Sequence, residues 1–216
     1  MFKELRHTSP RVGPAGPEDS QCSSPEGIPM AWTELFAAGL GLVNVWLVVK
    51  RSVWNYPFGL AMVTLYGFVF YDARLYNDAV LQIYYLGINL FGWWFWLKGR
   101  DDQGLVIPEI MGIKGRLTAV AATVAGNAAM GWYFATYTNA AAPWMDAFIA
   151  AASVTAQYLQ SVRKIESWLW WIAVDIVAVG VYFWKGLYPT TVLYLIFLGL
   201  SVAGLVSWRR QLKHGG

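Results

Sequence analysis

Residues 167–208 read SWLWWIAVDIVAVGVYFWKGLYPTTVLYLIFLGLSVAGLVSW. Two apolar runs, 167–185 and 188–208, meet at a short break around Lys185. Each is long enough for a helix to cross a bilayer, which takes roughly 17–25 residues. One acid, Asp175, stands near the middle of the first run. At a bilayer centre an Asp costs about 2.5–3.5 kcal/mol on insertion scales, so something must offset it.

Five more runs of the same kind lie upstream, at 30–49, 53–71, 75–97, 116–137 and 143–162. The composition agrees: 13% of residues are charged and 17% aromatic, with 13 Trp. Soluble domains carry about 25% charged residues. Period-2 alternation, the mark of a membrane β-barrel, is absent. The chain is expected to be an all-α membrane protein with seven transmembrane helices.

The net charge of +3 sorts by side. Lys50, Arg51, Lys98, Arg100, Lys114, Arg116, Arg163, Lys164, Arg209, Arg210 and Lys213 fall on one side of the expected membrane; Arg74, Lys185 and the cations of the N-terminal tail fall on the other. The excess marks the cytoplasmic side. This places the N-terminus outside and the C-terminus, with its basic tail 209–216, in the cytoplasm. These cations set topology and do not point to a nucleic-acid partner. Residues 1–29 are rich in Pro, Gly and Ser and are expected to form a disordered tail. They lack the order of a cleaved signal peptide. Met30, directly before the first apolar run, is a candidate start. The single cysteine, Cys22, lies in this tail, so no disulfide forms within the chain.

An offset of 112 residues aligns the chain with itself without a gap. Arg51 falls on Arg163, Leu75-Tyr76 on Leu187-Tyr188, Gly87 on Gly199, Gly92 on Gly204 and Trp96 on Trp208; Glu34 meets Asp146, an acid in both. The repeat unit is three helices, 30–97 and 143–208, joined by a link and linker helix over 98–142. Equivalent helices are four apart, so the two copies run parallel, a 3+1+3 arrangement. Parallel repeats are a transporter signature, with the solute near the midplane between copies.

Polar and aromatic residues gather on single faces at helical spacing. Helix three carries Gln82, Tyr85, Asn89 and Trp93; helix five Asp146, Ser153, Gln157 and Gln160; helix six Trp168, Trp171, Asp175 and Tyr182; helix seven Tyr194 and Ser201. Such groups cannot face lipid cheaply, which suggests one shared polar interior. Buried Gln, Asn and Ser also serve as interhelical hydrogen-bond partners. Trp and Tyr at helix ends serve as interface anchors. Asp146, in a first turn, complements the helix dipole.

Asp175 is the exception. No Lys, Arg or His lies at midmembrane depth to pair with it. It is protonated, wetted in a cavity, or neutralised by a cation that comes and goes. The last suits a carrier of a cationic solute, with cation–π support from Trp171, Tyr182, Tyr85 and Trp93. Gln82, Asn89 and Gln157 offer partners for amide or hydroxyl groups. Without basic residues in the membrane, a phosphorylated solute fits poorly. An enzyme fits poorly too. The only histidines, His7 and His214, lie in the terminal tails, and no metal-ligand or nucleophile–base set occurs in the membrane.

The segments 55–96 (NYPFGLAMVTLYGFVFYDARLYNDAVLQIYYLGINLFGWWFW) and 167–208 resemble the two halves of the bacterial nicotinamide riboside transporter family, PnuC. The likeness covers about 30–210. It is carried by Gln82, Asn89 and Trp93 in a Q-x6-N-x3-W pattern and by Trp171 and Asp175 in W-x3-[N/D]. The resemblance implies a fold similar to SWEET sugar transporters and a homotrimer in the bacterial inner membrane. It implies uptake by facilitated diffusion, with a cytoplasmic kinase trapping the product, and no cofactor. It places substrate contacts at Gln82, Asn89, Trp171, Asp175 and Tyr194. Many members carry Asn at the position of Asp175. The pyridinium of nicotinamide riboside makes an acid there chemically sensible, and thiamine, also a cationic ring, is the alternative cargo.

Overall fold

The computed structural model describes residues 30–72 and 76–214; the tail 1–29, with Cys22 and His7, lies outside the described residues. The chain is all-α, with α1 Met30–Val49, α2 Asn55–Asp72, α3 Tyr76–Lys98, α4 Ile113–Tyr137, α5 Pro143–Ser161, α6 Ser167–Trp184 and α7 Tyr188–His214. Pro57, Pro143 and Pro189 sit in first turns, where the missing N–H has no helical acceptor to lose. α7 continues beyond residue 208 to His214. The charged residues there end the apolar run but not the backbone helix, since Arg, Gln and Lys are good helix formers.

α6 and the Tyr188–Lys213 part of α7 are long and apolar enough to span a membrane by themselves, with mean hydropathies of 1.5 and 2.0. α2 to α5 dilute their apolar content with Trp, Tyr, Asn, Gln and Thr. Outward faces are nevertheless greasy: Ile83, Leu117 and Val124, like Leu195 on α7, are exposed. Asn55, Asn89, Thr123, Ser167, Asp175 and Ser201 are buried. Apolar outside and polar inside is the arrangement that lipid demands.

The helices close a ring. α1 packs on α2, α2 on α3, α3 on α5, α5 on α6, α6 on α7, and α7 back on α1; α4 packs against α5 outside the ring. Exchanging α1, α2, α3 for α5, α6, α7 maps the ring onto itself, as the 112-residue offset requires.

One end of the ring holds the basic residues. α1, α3, α5 and α7 finish there and α2, α6 and α4 begin there. The Arg51 carbonyl accepts from Val106 N–H, the Gly99 carbonyl from Ile107 N–H and the Arg163 carbonyl from Glu109 N–H. Equivalent helices therefore point the same way. Arg51 and Arg163 both adopt a left-handed backbone, φ 60° and 61°, turning the chain tightly from one helix into the next. The link after α3 crosses between the copies. It pairs Leu105 with Ser52 and Glu109 with Lys164. The Glu109 carboxylate receives Lys164 Nζ at 2.6 Å and Arg163 Nη2 at 2.7 Å. The Lys164 hydrogen bond, with the charges of Arg163 and Lys164, outweighs desolvation and holds this carboxyl below its ordinary range.

Above the link lies an aromatic layer of Tyr56, Trp96, Trp168 and Trp208, all buried. Tyr56 and Trp168 are equivalent positions, as are Trp96 and Trp208. The indole N–H of Trp96 donates to the Gln160 carbonyl at 3.0 Å, and that of Trp208 to the Val48 carbonyl at 3.2 Å. Val48 and Gln160 are again 112 apart. The two bonds are symmetry mates, each crossing from one copy to the other. Gly92 and Gly204 make the layer possible. A Cβ on either would collide with the Tyr56 or Trp168 ring.

Candidate functional site

A cavity of about 470 Å³ lies inside the ring, next to the aromatic layer. That size suits a small organic ligand, whose pockets run from about 300 to 1,000 Å³. Six helices contribute to it. α1 supplies Gly41, Asn44 and Val45, α2 Gly59, Met62, Val63 and Tyr66, and α3 Gln82, Tyr85 and Asn89. α5 supplies Ser153, Gln157 and Gln160, α6 Trp168, Trp171, Val174 and Asp175, and α7 Leu193, Tyr194, Phe197 and Ser201. Most lie at equivalent positions: Val63 opposes Asp175, Gln82 opposes Tyr194, Asn89 opposes Ser201. The cavity straddles the pseudo-symmetry axis.

Asp175 is the ninth of the 18 residues of α6 and only 3% exposed. Its Oδ2 accepts from the Ser201 hydroxyl at 2.9 Å. No Lys, Arg or His forms an ion pair with it among the described residues. It is the one charged side chain on the cavity wall among the described residues. Trp171, one turn earlier on the same face, is held by its indole N–H, which donates to Gln160 Oε1 at 2.8 Å. This bond fixes the indole on the cavity wall and absorbs its one polar atom.

The opposite wall is amide-rich. Asn89 Nδ2 donates to the Tyr85 carbonyl one turn back at 2.8 Å. Asn44 Nδ2 donates to the Asn55 carbonyl at 2.6 Å. Gly59 lies between them; a Cβ there would stand 3.0 Å from Asn44 Nδ2 and 3.1 Å from Asn89 Oδ1. With one N–H of each amide engaged by backbone, both side chains keep a carbonyl oxygen as acceptor and a second N–H as donor. The wall thus offers amide donors and acceptors on one side and a carboxyl group with aromatic residues on the other.

Of the nine residues expected to contact the solute, Gln82, Tyr85, Asn89, Gln157, Trp171, Asp175 and Tyr194 line this cavity together. The other two do not. Trp93 is half-buried against the aromatic layer, one turn past Asn89 toward the basic end. Tyr182 is not on the wall; its ring packs at a tilt of 37° on that of Tyr194, with centroids 5.1 Å apart. Asp146, on the polar face of α5, is at the far end, where it pairs with Lys185 at 3.0 Å. Asn44 was not foreseen. Its signal was present, a lone amide in the apolar run of α1, but a single polar residue makes no stripe.

The nicotinamide mononucleotide transporter family matches residues 31–210. The nicotinamide riboside transporter PnuC of Escherichia coli is 23% identical over 215 residues, covering 88% of this chain and 90% of the relative. The riboflavin/roseoflavin transporter RibM of Streptomyces davaonensis is 30% identical over 181 residues, covering 82% and 84%. A crystal structure of the vitamin B3 transporter PnuC superposes with a TM-score of 0.69 at 27% identity, covering 88% of this chain and 85% of that one. A single helical ring around one acid-bearing cavity, matched along nearly its whole length, is thus a member of the PnuC/nicotinamide mononucleotide transporter family of membrane transporters, not an enzyme.

Proposed function

We propose that this chain imports nicotinamide riboside by facilitated diffusion. The observation that carries the reading is Asp175, buried on the cavity wall with no protein cation beside it. A pyridinium ring would supply the missing charge. Trp171 and Tyr194 stack against that ring, and Gln82, Tyr85, Asn89 and Gln157 bind its carboxamide and ribose. The amide wall around Asn44 and Asn89, with both donors and acceptors, suits ribose hydroxyls. The cavity has no Lys or Arg on its wall among the described residues, so a phosphorylated solute would meet no counter-charge. A mononucleotide, the solute after which the family is named, is therefore disfavoured. Riboflavin, the cargo in the printed name of RibM, has a neutral ring and draws nothing from an acid. Thiamine, a second cationic ring, is the alternative.

The basic end faces the cytoplasm of a bacterial inner membrane, as its excess of cations favours. The aromatic layer closes the cavity on that side. Rocking of one copy against the other breaks the two reciprocal indole bonds, opens the layer and releases the solute inward. A cytoplasmic kinase then adds a phosphate, which Asp175 repels, so the product does not return. The assembly is a homotrimer. Uptake of labelled nicotinamide riboside into proteoliposomes, without any ion gradient, tests this. Saturable uptake that thiamine and riboflavin compete for weakly is expected. No saturable flux, or stronger competition by riboflavin, overturns it.

A further inference from the structure

A second depression, about 550 Å³, lies on the outer surface of α7 at the basic end. Its floor is Gly199, Ala203 and Val206, one face of the helix, and its polar rim includes Arg51, Arg210 and Ser207. The equivalent surface of the first copy carries different side chains, as the sequence shows. Where α7 has Ala203, Val206 and Ser207, α3 has Phe91, Trp94 and Phe95. Those aromatics pack on one another, with Phe91 5.9 Å from Phe95 and 6.4 Å from Trp94. They also cover the cations. Lys98 Nζ sits 3.6 Å over Trp94 and the Arg163 guanidinium 4.9 Å over Phe95. In the second copy the equivalent cations are Arg210 and Arg51, and among the described residues no ring covers them. Arg210 is exposed, with no hydrogen bond or ion pair among the described residues. Arg51, with its side chain 12% exposed, spends one N–H on the Val106 carbonyl at 3.2 Å and lies 3.9 Å from Asp101, so it reaches the rim with part of its fork while Arg210 stands open.

We propose that this groove binds an anionic phospholipid. The two guanidiniums hold the phosphate by paired N–H donors, the geometry in which Arg excels. The Ser207 hydroxyl, which donates to the Val49 carbonyl at 3.3 Å, keeps lone pairs for a glycerol hydroxyl. The apolar floor runs from the guanidiniums toward midmembrane and takes an acyl chain. Basic pockets beside transmembrane helices are where anionic headgroups lodge. An aromatic-filled surface in one copy and an open, doubly cationic one in the other is the pairing that makes the groove a site rather than a packing gap. The proposal is independent of which vitamin the cavity carries.

The test compares the wild type, Arg210→Gln, and Ala203→Phe/Val206→Trp, which installs the α3 residues. Each protein is purified in mild detergent, and its bound lipid is extracted and identified by mass spectrometry. Each is also placed in nanodiscs of pure phosphatidylglycerol or pure phosphatidylcholine for thermal unfolding. The wild type is expected to retain phosphatidylglycerol selectively and to unfold several degrees higher in it. Arg210→Gln should lose the headgroup preference, and the groove-filling variant should lose the retained lipid while staying monodisperse. Equal lipid content in all three proteins overturns the proposal. So does a groove-filling variant whose oligomeric mass changes at constant lipid content, which would assign the face to a second copy.

Discussion

The two three-helix copies share a scaffold and divide the chemistry. At the basic end they are near equals, with left-handed Arg51 and Arg163 and reciprocal indole bonds from Trp96 and Trp208. Inside the cavity they diverge. Where the second copy places Asp175, the first places Val63; where the second places Trp171, the first places Gly59. The acid and the ring that would flank a cation both come from one copy. The amides of Asn44 and Asn89 come from the other. On the proposed rocking mechanism, matched halves would serve two similar end states and unmatched walls would serve recognition of an asymmetric solute. Symmetry is kept where the copies would part and given up where they would bind.

The largest effect is expected from erasing the main difference. Asp175→Asn removes the charge at nearly constant shape. The loss of a charge-assisted contact, about 1.5–3 kcal/mol, should weaken nicotinamide riboside binding by roughly 10- to 150-fold, read by equilibrium binding in detergent. Val63→Asp/Asp175→Val sharpens the comparison by moving the acid across the axis. It should recover part of the affinity, because the charge returns but Trp171 no longer stands one turn from it. Full recovery would show that position within the cavity is immaterial.

A smaller effect is expected from breaking the symmetry at the basic end. Trp96→Phe and Trp208→Phe each delete one indole N–H; the carbonyls keep their backbone donors, Arg163 N–H on Gln160 and Arg51 N–H on Val48, so the lost hydrogen bond costs about 0.5–1.5 kcal/mol. Thermal unfolding should show similar losses for the two. Very unequal losses would mean that the copies do not share the layer evenly. Smaller still, Trp171→Phe keeps the ring but frees it from Gln160, and should cost a few-fold in affinity with little change in stability.

Much of this layout was legible in the chain. Apolar runs gave seven helices, because a membrane-crossing segment announces itself by length and composition. The 112-residue offset gave the two parallel three-helix copies, since matched positions such as Trp96 and Trp208 must play matched parts; the closed ring came from their packing. Asp175 stood out because an isolated acid in such a run is costly. The rest depended on depth and partners, which periodicity does not encode. Trp93 shares the helical face of Gln82 and Asn89 but lies one turn further, beyond the cavity and against the aromatic layer. Tyr182 follows Asp175 at helical spacing, yet it packs on Tyr194 and is not on the cavity wall. Glu166 had no visible role. It is buried, takes the Met111 N–H at 3.0 Å and pairs with Arg116 at 2.9 Å, fastening the start of α4 to the second copy. Its counterpart in the first copy is Trp54, 70% exposed.

The smallest predicted effect is a pH response at the link. Glu109 is held below its ordinary carboxyl range by Lys164 and Arg163. Its stabilisation is therefore complete above the usual carboxylate value and lost only as pH falls through the lowered one. The group is partly exposed, so the contribution is under about 1 kcal/mol. Unfolding temperature should stay level from neutral pH into the mildly acidic range, then drop, with Glu109→Gln removing that part of the drop.

The most direct test uses two forms of one solute. Nicotinamide riboside carries a pyridinium cation; its reduced dihydropyridine form has nearly the same shape and no charge. Calorimetry of both against the wild type should show tens-fold preference for the cation, and Asp175→Asn should abolish the preference. Equal affinity for the two forms in the wild type would contradict the claim that the carboxylate awaits a positive ring.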